Sequence, residues 1–122
     1  MQKVKIYEYR QCSTCKKALK FLDKNKIPYE VRPIVESPPS LPELEKMLND
    51  YQGQFKKLFN TSGVQYRELG LSQKLDQMTA KEALILLSRN GKLIKRPFLV
   101  RVGEGQRGWV GFKEEEWKNL LK

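Results

Sequence analysis

The sequence predicts a single α/β domain, in which a β-α-β unit and a β-β-α unit flank an all-helical insert. Three observations carry this prediction. A strand-like run, Val4-Lys5-Ile6-Tyr7, leads into Cys12-Ser13-Thr14-Cys15 at the mouth of a helix-like run. Two capping-box sequences, Ser40-Leu41-Pro42-Glu43 and Thr79-Ala80-Lys81-Glu82, mark helix starts in the middle of the chain. Two β-rich runs, 98–102 and 108–112, flank Gly103-Glu104-Gly105 and precede an amphipathic tail.

Each element follows from local pattern. Residues 3–8 read as a strand and 13–25 as a helix, with Cys15, Ala18, Leu19 and Leu22 on one stripe. Pro28 opens a second strand, 29–34, which a right-handed crossover would place parallel to the first. Ser37-Pro38-Pro39 breaks the chain. The next helix carries Leu44, Met47, Leu48 and Tyr51 inward, and Gly53 is read as its end. A short helical piece at 55–59 leads to the turn Asn60-Thr61-Ser62-Gly63, and Gly70 with Ser72 marks another break. Helix 80–90 packs through Ala83, Leu84, Leu86 and Leu87 and stops at Gly91. The last two strands form a hairpin, and helix 113–122 turns Trp117, Leu120 and Leu121 inward. The core is therefore 1–36 and 92–122, the insert about 37–91, and the whole chain, 1–122, is one domain.

Composition limits the function. The 122 residues suffice for one core, and 39% of them are hydrophobic. No apolar run approaches the roughly 20 residues of a membrane span, and no signal-peptide h-region is seen at the N-terminus. A cytoplasmic, reduced setting and a monomer with no membrane contact are expected. The net charge of +10 suits anionic partners, but the lysines are dispersed and no nucleic-acid module is recognisable. The chain has no histidine, which excludes Ser-His and Cys-His mechanisms. A nucleophile here must be activated by fixed positive charge and backbone dipoles.

The two cysteines are the only ones in the chain. A strand, a C-x-x-C and a helix start, in that order, give the placement of a thioredoxin-like redox site. The thiolate is the reacting form, and a helix N-terminus favours it through unpaired N–H groups. Cys12 is the candidate nucleophile and Cys15 the candidate resolving thiol, although helical spacing also allows Cys15 to be a core residue. A zinc site would need further Cys or His ligands that the sequence lacks, so no metal is expected. Arg10 is a candidate for holding an anion, because guanidinium groups pair with oxyanions through two hydrogen bonds.

Several segments together resemble the arsenate reductase and Spx-like group of thioredoxin-fold proteins, over nearly the whole chain. They are Tyr9-Arg10-Gln11-Cys12-Ser13-Thr14-Cys15-Lys16-Lys17-Ala18, Tyr66-Arg67-Glu68-Leu69-Gly70-Leu71, Leu93-Ile94-Lys95-Arg96-Pro97-Phe98-Leu99-Val100 and Val110-Gly111-Phe112. The resemblance implies a thioredoxin/glutaredoxin-like core around a mixed four-stranded sheet, with Pro97 cis and against the cysteine loop. It implies a thiol-dependent reductase in which Cys12 attacks an oxyanion or disulfide substrate, and Cys15 or glutathione resolves the adduct. Arg96 and Arg107 would hold the oxyanion. Glutathione would be a co-substrate, glutaredoxin or thioredoxin the electron donor, and no cofactor would be bound.

The chain also departs from the arsenate reductases of this group. They carry a His-Asn-Pro segment before the cysteine, where this chain reads Glu8-Tyr9-Arg10-Gln11; the arginine the resemblance implies near position 60 is matched by Asn60, and Cys15 stands where they usually have a non-cysteine residue. The C-x-x-C resembles instead the Spx-like regulators, which use it as a disulfide switch and bind the C-terminal domain of the RNA polymerase α subunit. Gly53 lies near the glycine of that contact, though a helix-ending glycine accounts for it. A redox-sensing transcription regulator is thus the alternative to an enzyme, and a structural or interaction protein is the third reading.

Overall fold

In the computed structural model, residues 3–101 and 107–121 are described. Val102 and the turn predicted at Gly103-Glu104-Gly105 lie outside them. Strand β1 (Val4–Glu8) is central, β2 (Tyr29–Pro33) lies on one side, and β3 (Phe98–Arg101) and β4 (Trp109–Val110) lie on the other, giving the order β2-β1-β3-β4. β1 and β2 are parallel, with Val4 opposite Tyr29 and Tyr7 opposite Arg32. β1 with β3 and β3 with β4 are antiparallel. This mixed sheet is the thioredoxin/glutaredoxin-like core that the sequence predicts, with the helical insert between β2 and β3.

Helix α1 (Ser13–Lys24) closes the first crossover and buries Cys15, Ala18, Phe21 and Leu22. It ends in a Schellman motif: Ile27 donates its N–H to Leu22 O at 3.0 Å and Lys26 donates to Asp23 O at 3.1 Å. Lys26 takes the left-handed position at φ 57°, and Ile27 packs in the same apolar cluster as Leu22. Helix α2 (Leu41–Asp50) ends the same way, through Gly53 to Leu48 O and Gln52 to Asn49 O. Gln52, at φ 58°, takes the left-handed position, and Gly53, at φ 80°, closes the motif and ends the helix as the sequence predicts. Both capping boxes form: Ser40 with Glu43 opens α2, and Thr79 with Glu82 opens α5 (Ala80–Arg89).

The rest of the insert is short pieces: a 3₁₀ turn at Phe55–Leu58, α3 (Val64–Glu68), α4 (Leu71–Lys74) and 3₁₀ turns at Leu75–Gln77 and Gly91–Leu93. The break at Gly70 is real, at φ 63°, but Ser72 lies inside α4. Leu86 on α5 is only partly buried. The last helix is also corrected. Only Glu114–Trp117 is α-helical (α6), and Lys118–Leu121 tightens to 3₁₀. The period drops from 3.6 to about 3 residues per turn. Trp117 and Leu120 therefore stay inside, and Leu121 is 45% exposed rather than inward.

The pleat sorts the core into two clusters. Val4, Ile6, Leu99 and Trp109 face α1 and α6. Tyr7, Phe98 and Val110 face the insert, where Leu44, Phe59, Leu84 and Leu87 are buried. The C-terminal end of β1, the N-terminus of α1 and the start of β3 meet at one end of the sheet, and the candidate site lies there. Among the described residues, no helix is long and apolar enough to cross a membrane.

Candidate active site

Cys12 is the N-cap of α1, with extended backbone at φ −87° and ψ 115°. Its Sγ accepts the N–H of Cys15 at 3.3 Å, and its own N–H donates to Tyr9 O at 2.9 Å. The sulfur therefore sits where the first turn of α1 offers unpaired N–H donors, which favour an anion. No acidic residue occupies that turn, and Lys16 and Lys17 follow on the same helix. Both cysteines are free thiols.

Cys15 differs in kind. It is fully buried, and burial pushes its thiol up to about 12. It occupies the apolar stripe of α1, as helical spacing allows, and as a neutral thiol it is a weak nucleophile near neutral pH.

Cys12 opens into a cleft of about 290 Å³ that Thr14, Asn60, Lys95, Arg96 and Lys113 also line. Three cations face it, and no carboxylate is among its described lining residues. Arg96 stacks its guanidinium over the Tyr9 ring at 4.6 Å, which fixes the planar group beside the cysteine loop. The Arg96–Pro97 peptide is cis, and Pro97 O accepts the Gly111 N–H at 2.9 Å. Gly111 takes φ 74°, a backbone conformation that other residues rarely adopt, and the Lys95 side chain lies against it.

Asn60 and Lys95 arrive together. An isolated antiparallel bridge joins Phe59 to Ile94, Asn60 donates its N–H to Leu93 O at 2.7 Å, and Lys95 donates to Leu58 O at 2.8 Å. Asn60 thus lines the same cleft as Cys12. Lys95 and Lys113 are site residues that the sequence reading does not single out. The one available signal for Lys95 is its place directly before Arg96-Pro97.

Not all the predicted cations converge. Arg10 is exposed and does not line the Cys12 cleft. Arg107 lines an adjoining cleft of about 400 Å³ instead, with Tyr51, Lys57, Lys95 and Lys113. Its Nη1 donates to Asp50 O at 2.8 Å, and its guanidinium lies 4.9 Å from the Tyr51 ring centre.

The topology and the thiol at the helix mouth define a thioredoxin-fold protein with a cationic, cysteine-bearing cleft. The ArsC family model matches residues 7–120, and the chain belongs to the ArsC family. It is 42% identical to the uncharacterized protein YusI of Bacillus subtilis (strain 168), over 93% of each chain. It is 27% identical to the global transcriptional regulator Spx of Listeria innocua, over 97% of this chain and 86% of that one. Among solved structures, it resembles an ArsC family related protein from Bacteroides fragilis, with TM-score 0.89, 46% identity and 98% coverage of both chains. It also resembles a possible arsenate reductase from Streptococcus mutans UA159, with TM-score 0.85 and 38% identity over 97% of this chain and 99% of that one.

Proposed function

We propose that this protein is a thiol-dependent reductase of the arsenate-reductase-like type, with Cys12 as its nucleophile. One observation carries the reading: the Cys12 sulfur, at the N-terminus of a 12-residue helix, opens into a cleft with three cations and no lining carboxylate among the described residues. Such a cleft concentrates anions at the thiolate and stabilises the charge they develop. Similarity to a possible arsenate reductase supports the same chemistry.

With a disulfide substrate, the Cys12 thiolate attacks one sulfur and the other leaves as a thiolate that takes a proton from water. A second thiol then attacks the substrate-derived sulfur of the mixed disulfide, Cys12 leaves as thiolate, and the second thiol ends in a disulfide with that substrate sulfur. With arsenate, Cys12 forms an S–As bond and a hydroxyl leaves as water. A second thiol attacks the Cys12 sulfur, the S–As electron pair departs with arsenic as arsenite, and a mixed disulfide remains on Cys12. Arg96 and Lys95 hold the negative charge in either case. Full burial of Cys15, with its thiol at about 12, favours an external thiol such as glutathione for the second step. Glutaredoxin or thioredoxin would then regenerate Cys12.

The test is NADPH oxidation coupled through glutathione and glutaredoxin, or through thioredoxin, with arsenate and a glutathione mixed disulfide offered separately. Cys12→Ser is expected to lose at least about a hundredfold in turnover, as loss of a nucleophile does. Cys15→Ser should keep turnover when glutathione is supplied. Unchanged turnover in Cys12→Ser would overturn the mechanism.

A second reading is supported by the C-x-x-C and the 27% identity to Spx. It is a redox-sensing regulator that binds the C-terminal domain of the RNA polymerase α subunit. Its test is binding to that domain by oxidised and reduced protein, and absence of binding in both states would remove it.

A further inference from the structure

The Arg107 cleft and the Cys12 cleft share three of their lining residues, Lys95, Val110 and Lys113. They are therefore one trough with two compartments. A small tetrahedral oxyanion fills only part of the compartment at Cys12 and leaves the 400 Å³ beside it unused.

The second compartment is built rather than incidental. Tyr51, just past the end of α2, accepts the Val110 N–H at 3.0 Å. The Asp50 carboxylate accepts the Gly108 N–H at 2.9 Å and both of its oxygens are held by Lys46 Nζ. Arg107 is held between the Asp50 carbonyl and the Tyr51 ring, with the Trp109 ring 6.0 Å away. One guanidinium nitrogen is engaged, which leaves other N–H donors of the fork for a ligand. Lys57, Lys95 and Lys113 form no ion pair with a described carboxylate. Glu116 is the second carboxylate on the rim, so cations outnumber anions there four to two.

We infer that the Arg107 cleft is a carboxylate-binding subsite, and that the trough takes an extended peptide disulfide whose sulfur lies at Cys12 and whose carboxylates lie against Arg107 and Lys57. This rests on the reductase reading for what happens at Cys12, but the binding it claims is independent of turnover. Two shared lysines give a continuous positive path between the reacting sulfur and the anionic end. A guanidinium held over an aromatic ring keeps its N–H edge for pairing with a planar carboxylate. Arg107 acts here as a specificity residue, remote from the bond that breaks.

The experiment has a binding arm and a kinetic arm. In the first, S-methylglutathione, an unreactive thioether with two carboxylates, is titrated into the full chain and followed by amide resonances. Saturable shifts are expected at Tyr51, Lys57 and Arg107 as well as at Cys12, with affinity about tenfold weaker in Arg107→Ala and partly restored in Arg107→Lys. In the second, the ratio of kcat/KM for oxidised glutathione to that for the neutral bis(2-hydroxyethyl) disulfide should fall about tenfold in Arg107→Ala, and again in Lys57→Glu. Shifts confined to the Cys12 compartment, or a ratio indifferent to Arg107 and Lys57, would overturn the subsite and leave the reductase standing. Binding at Arg107 without turnover of either disulfide would retain the subsite and overturn the reductase.

Discussion

Val4, Ile6, Leu99 and Trp109 meet an apolar layer on α1 and α6, whereas Tyr7, Phe98 and Val110, neighbours along the same strands, meet the helical insert. On the first face the partners are Ala18, Phe21, Leu22 and Trp117, with Phe112 and Trp117 edge-to-face at 4.9 Å. On the second face a polar cluster enters the packing. Glu43 accepts the Tyr7 hydroxyl at 2.7 Å and pairs with Lys5 at 2.8 Å while also capping α2. The first face holds α1 still, and with it the cysteine at its mouth. The second face adjoins the parts that choose what reaches that cysteine: Asn60, Lys95, Tyr51 and Lys57 come from the insert or the loop leaving it. Stability and selectivity are thus carried largely by opposite sides of one sheet.

The contrast breaks first at Trp117. The residue is fully buried, and its Nε1 has no hydrogen-bond partner among the described residues, so its contribution is shape and apolar area. Trp117→Ala is expected to lose about 3–5 kcal/mol in urea unfolding, because the cavity cannot close. An equal loss from a surface substitution on α6 would show that the face is not organised around this side chain.

Glu43 tests the opposite side with a smaller effect. Glu43→Ala removes the Lys5 pair, the Tyr7 bond and half the capping box, and should cost about 2 kcal/mol. Glu43→Gln, which can still accept from Tyr7, should cost less. The pH dependence has a definite sign. Burial acts to raise the Glu43 carboxyl, but hydrogen bonds from Lys5, the Ser40 backbone and Tyr7 together hold it below its ordinary value. A carboxyl lowered on folding stabilises fully above its unfolded value of about 4.3 and loses that contribution as pH falls through the folded value. The gap between wild type and Glu43→Ala should therefore narrow in acid. A constant gap from pH 7 to pH 3 would place the effect in packing rather than charge.

The smallest expected change sharpens the first face. Lys26 holds a left-handed backbone that costs a non-glycine residue roughly 1–2 kcal/mol. Lys26→Gly should raise stability by about 0.5–1 kcal/mol, net of the entropy glycine loses on folding. No gain in thermal or urea unfolding would mean that the Ile27–Leu22 contact sets this turn regardless of the residue at 26.

The legible part of the molecule is the part with local signals. Strand alternation, two capping boxes and the C-x-x-C at a helix start each announce themselves within a few residues, and all are found in place. α3 and α4 are not legible, because five- and four-residue helices have no period to read. Leu121 defeats the helical pattern because a 3₁₀ turn changes the period within one helix. The site divides along the same line. Cys12 and Arg96 are visible from their motifs, whereas Lys95 and Asn60 meet through a bridge between residues 59 and 94, a pairing no local pattern encodes. Three arginines compete in the sequence for one anion, but only Arg96 lines the Cys12 cleft.

Helix α2 has a mechanical consequence. Its first turn is tied to β1 through Glu43, and the residue after its last turn is tied to β4 through Tyr51, about 12 Å further along at 1.5 Å per residue. A rod pinned at both ends to strands on either side of β3 is a crossbeam, and it resists shear between β1 and β4. One wall of the Arg107 compartment is therefore braced against the sheet at two points about 12 Å apart.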